Sequence, residues 1–324
     1  MTALSVISVF HNRAHGVRAT VESLLDQDHP DLEIVLVDDG STDDTLAALR
    51  KYQDPRVRIE SHENMGFVHA LKRAVAATRA PYVALLGAGD ACRPDRLSRQ
   101  AAVLDEKPNV GAVGCGTENR DARSGDLLSH KITQIVEPVS RMVLTRNPFH
   151  HGEIMFRRSL YDAVGGYRDF FVFAQDRDLI CRFSQRANFH VIPDVLYTRY
   201  ARLAGSVSAA PEKLLLQRRL SDFAVYCHAQ RLAGRPDPLD QYGPAAALMQ
   251  PPSPRLAREL RATGLGALKR GNLTMARAFL TYAQQQAPHP LSLLGMAAVE
   301  LLTPLAPHRR KPRLMRHALG TDGR

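Results

Sequence analysis

Glu33-Ile34-Val35-Leu36-Val37-Asp38-Asp39-Gly40-Ser41-Thr42-Asp43-Asp44-Thr45 is an apolar, largely β-branched run that stops at two carboxylates, a glycine and a series of helix-capping residues. An uninterrupted apolar run of this kind suits a parallel strand covered on both faces. Ser41, Thr42 or Asp43 is placed to cap a helix starting near Thr45. The sequence therefore predicts Asp38 and Asp39 at the carboxyl end of a central strand, where open α/β sheets bind ligands. Two carboxylates beside a helix start suit the donor edge of a base or the hydroxyls of a ribose. They repel phosphate unless a cation lies between. A solvated acidic turn is the plain alternative for an isolated Asp-Asp-Gly-Ser.

The flanking segments repeat the pattern. Leu4–Phe10 is a second buried-strand run, ending at His11-Asn12, and the helix after it carries Val17, Val21, Leu24 and Leu25 on one face until Gln27-Asp28-His29-Pro30 stops it. Downstream the spacing predicts a short helix over 45–52, a strand over 57–60, a turn at Asn64-Met65-Gly66 and a helix over 67–77. A strand at 81–86 ends in Gly87-Ala88-Gly89-Asp90. Pro94 then opens a helix to about Glu106, and a strand covers 110–115. This alternation predicts an α/β fold, a Rossmann-like, mostly parallel sheet flanked by helices. Residues 119–126 read as a surface loop and 127–138 as an excursion. Gly165-Gly166-Tyr167 reads as a turn, 174–186 as the start and course of a helix, and 189–192 and 195–197 as short strands.

From Pro211 the character changes. The spacing predicts an amphipathic helix over 214–232, an irregular proline-rich stretch over 234–254 and a helical hairpin over 256–287. Gly264, Ala267, Gly271, Ala276, Ala278 and Pro288 of the hairpin resemble one tetratricopeptide-type unit. The expected organisation is a domain at 1–208 and an α-helical C-terminal extension at 209–324. Charge separates the two. Residues 1–208 hold 26 Lys+Arg against 26 Asp+Glu, while 209–324 hold 17 against 7, the whole of the net +10. A basic tail on a neutral domain calls for an anionic partner surface. The apolar Leu291–Leu305 stretch, followed by His308-Arg309-Arg310-Lys311-Pro312-Arg313, reads as an interfacial anchor for an anionic membrane; a buried helix with a basic end is the alternative. No nucleic-acid partner is expected, because the tail lacks interleaved aromatics. The 44% hydrophobic and 23% charged content is that of a globular protein. The first strand begins almost at the initiator, so no signal peptide is expected. Cys92, Cys115, Cys181 and Cys227 lack metal-ligand spacing and read as reduced thiols. The expected location is cytoplasmic, peripheral on the inner face of the membrane.

The strand–helix–strand order from Leu4 to Asp44, the Gly87-Ala88-Gly89-Asp90 stretch, Asn147-Pro148-Phe149-His150-His151 and Gln175-Asp176-Arg177-Asp178 resemble, in order, the family 2 glycosyltransferases of bacterial surface-polysaccharide type. The resemblance runs from Leu4 to Ser208. It implies a GT-A fold and an inverting, metal-dependent transfer of sugar from a nucleotide-sugar donor to a glycan or lipid-linked acceptor. Such transfer needs the nucleotide held, the leaving diphosphate neutralised and the acceptor hydroxyl deprotonated. For the first, the resemblance implies Phe10, His11, Asp38, Asp39, Gly89 and Asp90, with Asp39 on the base and His11 where the family commonly has a stacking aromatic. For the second, it implies Asp90 as ligand to Mg²⁺ or Mn²⁺; the earlier carboxylates of the family's acidic motif are replaced by Gly87 and Gly89. For the third, it implies Asp176 as base, with Asp178 as rival, Gln175 where the family has Glu, and His150 on the acceptor side. The stretch 199–208 resembles a segment closing over the diphosphate, with Arg199 or Arg202 as its cation. A catalytically degenerate protein that binds nucleotide sugar or glycan is the alternative reading, motivated by the two missing motif carboxylates.

Overall fold

A computed structural model of the chain describes residues 3–201 and 210–303, in two units, 1–251 and 252–324. The first opens with β1 (Leu4–Phe10), α1 (Ala14–Leu25), β2 (Leu32–Asp39), α2 (Thr45–Leu49), β3 (Val57–His62), α3 (Phe67–Ala77) and β4 (Tyr82–Leu85). β5 (Ala91–Cys92), α4 (Arg96–Glu106), β6 (Val110–Asp121), β7 (Leu127–Lys131), α5 (Val139–Met142), β8 (Met155–Arg157), α6 (Arg158–Ala163), α7 (Gln175–Phe183) and β9 (Asn188–Ala201) follow. It closes with α8 (Pro211–Leu232) and α9 (Pro238–Tyr242).

The strands form a sheet in the order β3-β2-β1-β4-β8-β6-β9-β5, with β7 paired to β6. β1 to β4 are mutually parallel, and β8 enters antiparallel to both β4 and β6. Because successive side chains of a strand face opposite sides, β1 sends Ile7 and Val9 to one face and Leu4, Val6 and Phe10 to the other. Val68 and Leu71 of α3, Tyr161 of α6 and Leu179 of α7 cover the first face. Val17 and Val21 of α1, Leu49 of α2 and Leu97 and Ala101 of α4 cover the second. This three-layer arrangement explains why the strands read as continuous apolar runs.

One expectation is corrected. Residues 119–126 are not simply a loop: β6 runs to Asp121 and turns into β7, with Asp121 Oδ1 accepting from the Arg123 and Ser124 amides at 2.8 and 3.2 Å. The first compact unit extends through 251 and takes in α8 and α9. Leu220, Phe223, Ala224 and Cys227 of α8 share a core with Phe171 and Ala174, which belong to the loop before α7. The Phe223 ring lies 5.4 Å from that of Phe170. Arg168 bonds Asp178 of α7 together with Asp237 (2.9 Å) and Asp240 (3.0 Å) at α9, and Asp237 also pairs with Arg231. Removing α8 would uncover this core and take one of its two arginines, Arg231, from the buried Asp237.

The second unit holds α10 (Pro254–Lys269), α11 (Leu273–Gln286) and α12 (Pro290–Leu302). Ser253, Asn272 and His289 cap the three, each accepting from an amide of the first turn. A methyl group on Gly264 or Gly295 would lie 2.8 Å from the Leu280 side chain, so small residues set how closely the helices approach. α12 buries only Ser292, Gly295 and Val299, and leaves Leu291, Leu293, Leu294, Leu301 and Leu302 exposed. Among the described residues no helix is long and apolar enough to cross a membrane.

Candidate active site

At the ends of β1 and β2 the two following loops are stitched together. Asn12 adopts the left-handed region (φ 51°) and its Oδ1 accepts from the Thr42 amide at 2.8 Å, while the Asn12 amide donates to Ser41 Oγ at 3.0 Å. The Arg13 amide donates to Thr45 Oγ1 (2.8 Å), and Asp43 takes the Ala14 and Thr45 amides (3.2 and 3.0 Å). Asp43 thus serves the start of α2, whereas Ser41 serves the neighbouring loop. Gly40 is obligatory: its φ is +63°, and a methyl group there would stand 2.3 Å from the Asn64 nitrogen.

The close approach of Asn64 shapes the surroundings of Asp39. Asp39 Oδ1 accepts from the Met65 amide at 2.8 Å, and His62 Nδ1 lies 3.5 Å away. His11 Nδ1 sits 2.8 Å from the Asp39 carbonyl oxygen and Asn64 Nδ2 is 2.9 Å from the same atom. That geometry puts the ring proton on Nδ1, leaving Nε2 to accept from Asn12 Nδ2 at 3.3 Å. The imidazole is exposed at the rim. Asp38 is buried, with its carboxylate on Ser61 Oγ (3.1 Å) and the Ser41 amide (3.3 Å). The Phe10 ring is fully buried in the sheet core. Phe10 therefore supports the strand end from beneath, its side chain turned into the core.

The Gly87-Ala88-Gly89-Asp90 loop follows β4. Gly89 is buried (φ 97°), donates its amide to Thr20 Oγ1 at 2.8 Å and packs directly on Gly16 of α1, where a methyl group would be 2.6 Å from the Gly89 Cα. Asp90 is held by β9 at both oxygens: the Tyr197 hydroxyl donates to Oδ2 at 2.5 Å and the Tyr200 amide to Oδ1 at 3.0 Å. Burial raises the Asp90 pKa above the ordinary carboxylate value, opposed by these two bonds and by the charges of Arg199 and Arg13. A buried carboxylate left short of compensation is a fitting partner for a cation. Among the described residues no three His, Cys, Asp or Glu side chains gather to hold a metal by themselves.

Across the opening, Ala174 precedes α7 in the left-handed region (φ 59°), a conformation that costs a non-glycine residue energy and that the buried surroundings of Ala174 enforce. It sets the entry of Gln175 and Asp176. Asp176 Oδ2 accepts from Asn147 Nδ2 at 3.0 Å. Asp178 is separated from it: fully buried, it accepts from Arg168 and from Arg182 Nη2 (2.6 Å). His151 Nε2 is 2.8 Å from the Tyr167 hydroxyl, Gln175 Nε2 is 3.5 Å from His151 Nδ1, and Phe67 meets the imidazole edge-on. Burial depresses the His150 pKa to about 4, helped by the charges of Lys131 and Arg199 and opposed by Asp176. His151 is likewise depressed by burial. Both imidazoles are neutral near pH 7.

Arg199 is thus a charged neighbour of both Asp90 and His150, and Asp176 is a second charged neighbour of His150. Arg202 and the basic cluster at 308–313 lie outside the described residues. The sequence reading missed Asn64, Asn147, His151, Tyr167 and Tyr197. Asn147 and His151 were legible as members of the Asn-Pro-Phe-His-His stretch; Tyr197 looked like any strand aromatic.

Beneath the loop, Glu153 is 3% exposed, and its Oε2 has no hydrogen-bond partner among the described residues. Burial pushes its pKa from 4.5 up to about 8. The folded state therefore keeps a proton that the unfolded chain has released. The stability this provides is complete below pH 4.5 and is lost as pH rises through 8. His150 works in the opposite sense, but only below its ordinary value of 6.5. Between pH 6.5 and 8, denaturant unfolding is expected to show a loss of about 2 kcal/mol, at about 1.4 kcal/mol per pH unit. Glu153→Gln should flatten that slope; an unchanged slope would mean that Glu153 is not the proton carrier.

The profile of the family described as "Glycosyl transferase family 2" matches residues 5–171. The chain is 32% identical over 200 residues to a chondroitin synthase of Escherichia coli, covering 60% of this chain and 28% of that one. It is 30% identical over 169 residues to the putative glycosyltransferase EpsE of Bacillus subtilis, covering 51% and 60%. The aligned part is thus less than two thirds of either relative. Among solved structures, S. aureus TarS 1-349 in complex with UDP-GlcNAc superposes with a TM-score of 0.57 at 18% identity, covering 93% of this chain and 91% of that one. The mannosyltransferase PcManGT from Pyrobaculum calidifontis, in complex with GDP-Man and Mn²⁺, gives 0.54 at 21%, covering 93% and 86%. These likenesses show the GT-A fold that the sequence resemblance implied.

Proposed function

The chain belongs to glycosyl transferase family 2, and on that premise we propose that it moves a sugar, with inversion, from a nucleotide-sugar donor to a glycan or lipid-linked acceptor in surface-polysaccharide synthesis. The observation that supports this reading is the placing of Asp38-Asp39 and of the Gly87–Asp90 loop at the same ends of the parallel strands β2 and β4 on either side of β1, with Arg199 of β9 acting on both Asp90 and His150.

Asp39, Asp38 and His11 hold the nucleoside, with the Asn64–Met65 turn fixing the Asp39 carboxylate. Asp90 would hold Mg²⁺ or Mn²⁺, which when bound would offset the charge of the leaving diphosphate. Arg199, with Arg202 beyond it in sequence, adds positive charge on the same side. Asp176 accepts the proton of the acceptor hydroxyl as that oxygen bonds to the anomeric carbon and the bond to the diphosphate oxygen breaks. Asn147 holds Asp176 in place, and neutral His150 orients the acceptor without competing for its proton. Nucleotide sugars incubated with Mg²⁺ or Mn²⁺ and no acceptor should be slowly hydrolysed, and the preferred donor fastest. Absence of hydrolysis and of transfer across donors that bind would favour the degenerate-binder reading.

We further place the C-terminal segment at an anionic membrane on the cytoplasmic face. The exposed leucines of α12 and the cationic sequence after it support this. The full chain should float with anionic liposomes at low salt and be released as salt rises. Replacing Arg309, Arg310, Lys311 and Arg313 together by serine should reduce flotation, since each basic residue near such a surface contributes about 1 kcal/mol. Flotation indifferent to both salt and these substitutions would rule the assignment out.

A further inference from the structure

Both carboxylate oxygens of Asp90 are held by one strand. Tyr197 and Tyr200 lie three residues apart on β9, and Arg199, whose charge acts on Asp90, lies between them. β5, immediately after Asp90, pairs with the same stretch, Cys92 opposite Tyr197 and Ala91 opposite Thr198. The Tyr197 hydroxyl occupies a space that two glycines keep open. A methyl group on Gly87 would lie 2.5 Å from Asp90 Oδ2 and 3.0 Å from the Tyr197 oxygen; one on Gly152 would lie 2.2 Å from that oxygen. The ring is 2% exposed. The guanidinium of buried Arg96 stands 5.4 Å from its centroid and is itself fixed on the Leu85 and Gly152 carbonyls at 2.8 and 3.1 Å. The hydroxyl also accepts from the Gly87 amide at 3.4 Å.

We infer that Tyr197 is a positioning residue for Asp90: its hydroxyl, seated between Gly87 and Gly152, locks the carboxylate in one rotamer and ties the Gly87–Asp90 loop to the strand that presents Arg199. The inference rests on the proposed role of Asp90 at the donor diphosphate. It gives Gly87 a physical task at a position where the family motif has an acid, since any side chain there would collide with the Tyr197–Asp90 pair. With the loop and Arg199 locked to each other, cation and guanidinium approach a diphosphate from fixed directions. An unlocked carboxylate would have to be ordered at each binding event, and that ordering opposes binding.

The experiment measures binding of UDP and GDP by calorimetry with and without Mn²⁺, for wild type, Tyr197→Phe, Gly152→Ala and Asp90→Asn, with a thermal melt for each. Tyr197→Phe removes one oxygen and keeps the ring. It should weaken the Mn²⁺-dependent affinity about tenfold or more, the effect of losing a hydrogen bond to a charged acceptor, and leave the metal-free affinity as in wild type. Gly152→Ala keeps the phenol but displaces it, and should reproduce the defect. Wild-type affinity with Mn²⁺ in folded Tyr197→Phe, or equal losses with and without metal, would overturn the inference. If Asp90→Asn alone weakens Mn²⁺-dependent binding, the reading of Asp90 stands and the positioning role of Tyr197 falls. If Asp90→Asn is also silent, the reading of Asp90 falls with it.

Discussion

Asp176→Asn is expected to slow single-turnover transfer about 10²–10⁴-fold, the usual cost of removing a general base, while donor affinity stays close to wild type. The asymmetry follows from the task. The proton is taken only as the acceptor attacks, so the lost interaction belongs to the transition state. The geometry favours a clean substitution, because an asparagine oxygen at 176 can still accept from Asn147 Nδ2, as Asp176 does at 3.0 Å. The control is Asp178→Asn. Asp178 is buried under Arg168 and Arg182, so its loss should destabilise the fold by about 3–5 kcal/mol, as breaking a buried pair does, while the folded fraction keeps its transfer rate. Single-turnover kinetics, donor calorimetry and unfolding curves on both variants decide the matter. A catalytic loss in folded Asp178→Asn with a silent Asp176→Asn would reverse the assignment.

Asp90→Asn is expected to abolish metal-dependent transfer and to weaken Mn²⁺-assisted UDP or GDP binding by at least about tenfold, or 1.4 kcal/mol. The amide can keep the local fold. Its oxygen can still accept from the Tyr200 amide, and the Tyr197 hydroxyl can turn to accept from the new NH₂. The lost feature is the negative charge, which a hard divalent cation requires. Metal-assisted affinity equal to wild type would remove Asp90 from the cation site.

The two predictions concern residues of different legibility. Asp90 and Asp176 were picked out from their sequence contexts by resemblance, as were Asp38, Asp39 and His11. None of their neighbours across the sheet were. Tyr197 reaches Asp90 from 107 positions downstream, and Asn64 and Met65 fix Asp39 only because Gly40 lets the turn before α3 lie against it. His150 stood out in sequence. His151, whose ring is held by Tyr167 and approached by Gln175 and Phe67, did not, because which of two adjacent histidines faces which wall depends on the 3-10 turn they begin.

What the sequence by itself determined was the alternation of elements and the placing of polar residues at strand ends. Both follow from local physics: continuous apolar runs suit strands buried on two faces, and glycine, proline and capping residues punctuate them. The basic character of the C-terminal segment was equally plain, since charge is additive along a chain. Only the tertiary structure decided where the first unit ends. The stretch 214–232 reads as an amphipathic helix whose partner is unstated until Phe223 is seen against Phe170 and Phe171, and Arg168 against Asp178, Asp237 and Asp240. The sequence already favoured Asp176 over Asp178, since residues two apart on a helix do not share a face, and the tertiary structure decided what each of them meets. The two carboxylates share a helix and a sequence motif, but one meets Asn147 at the opening while the other is buried between two arginines. Long-range packing sets those environments, and a one-dimensional pattern carries no record of them.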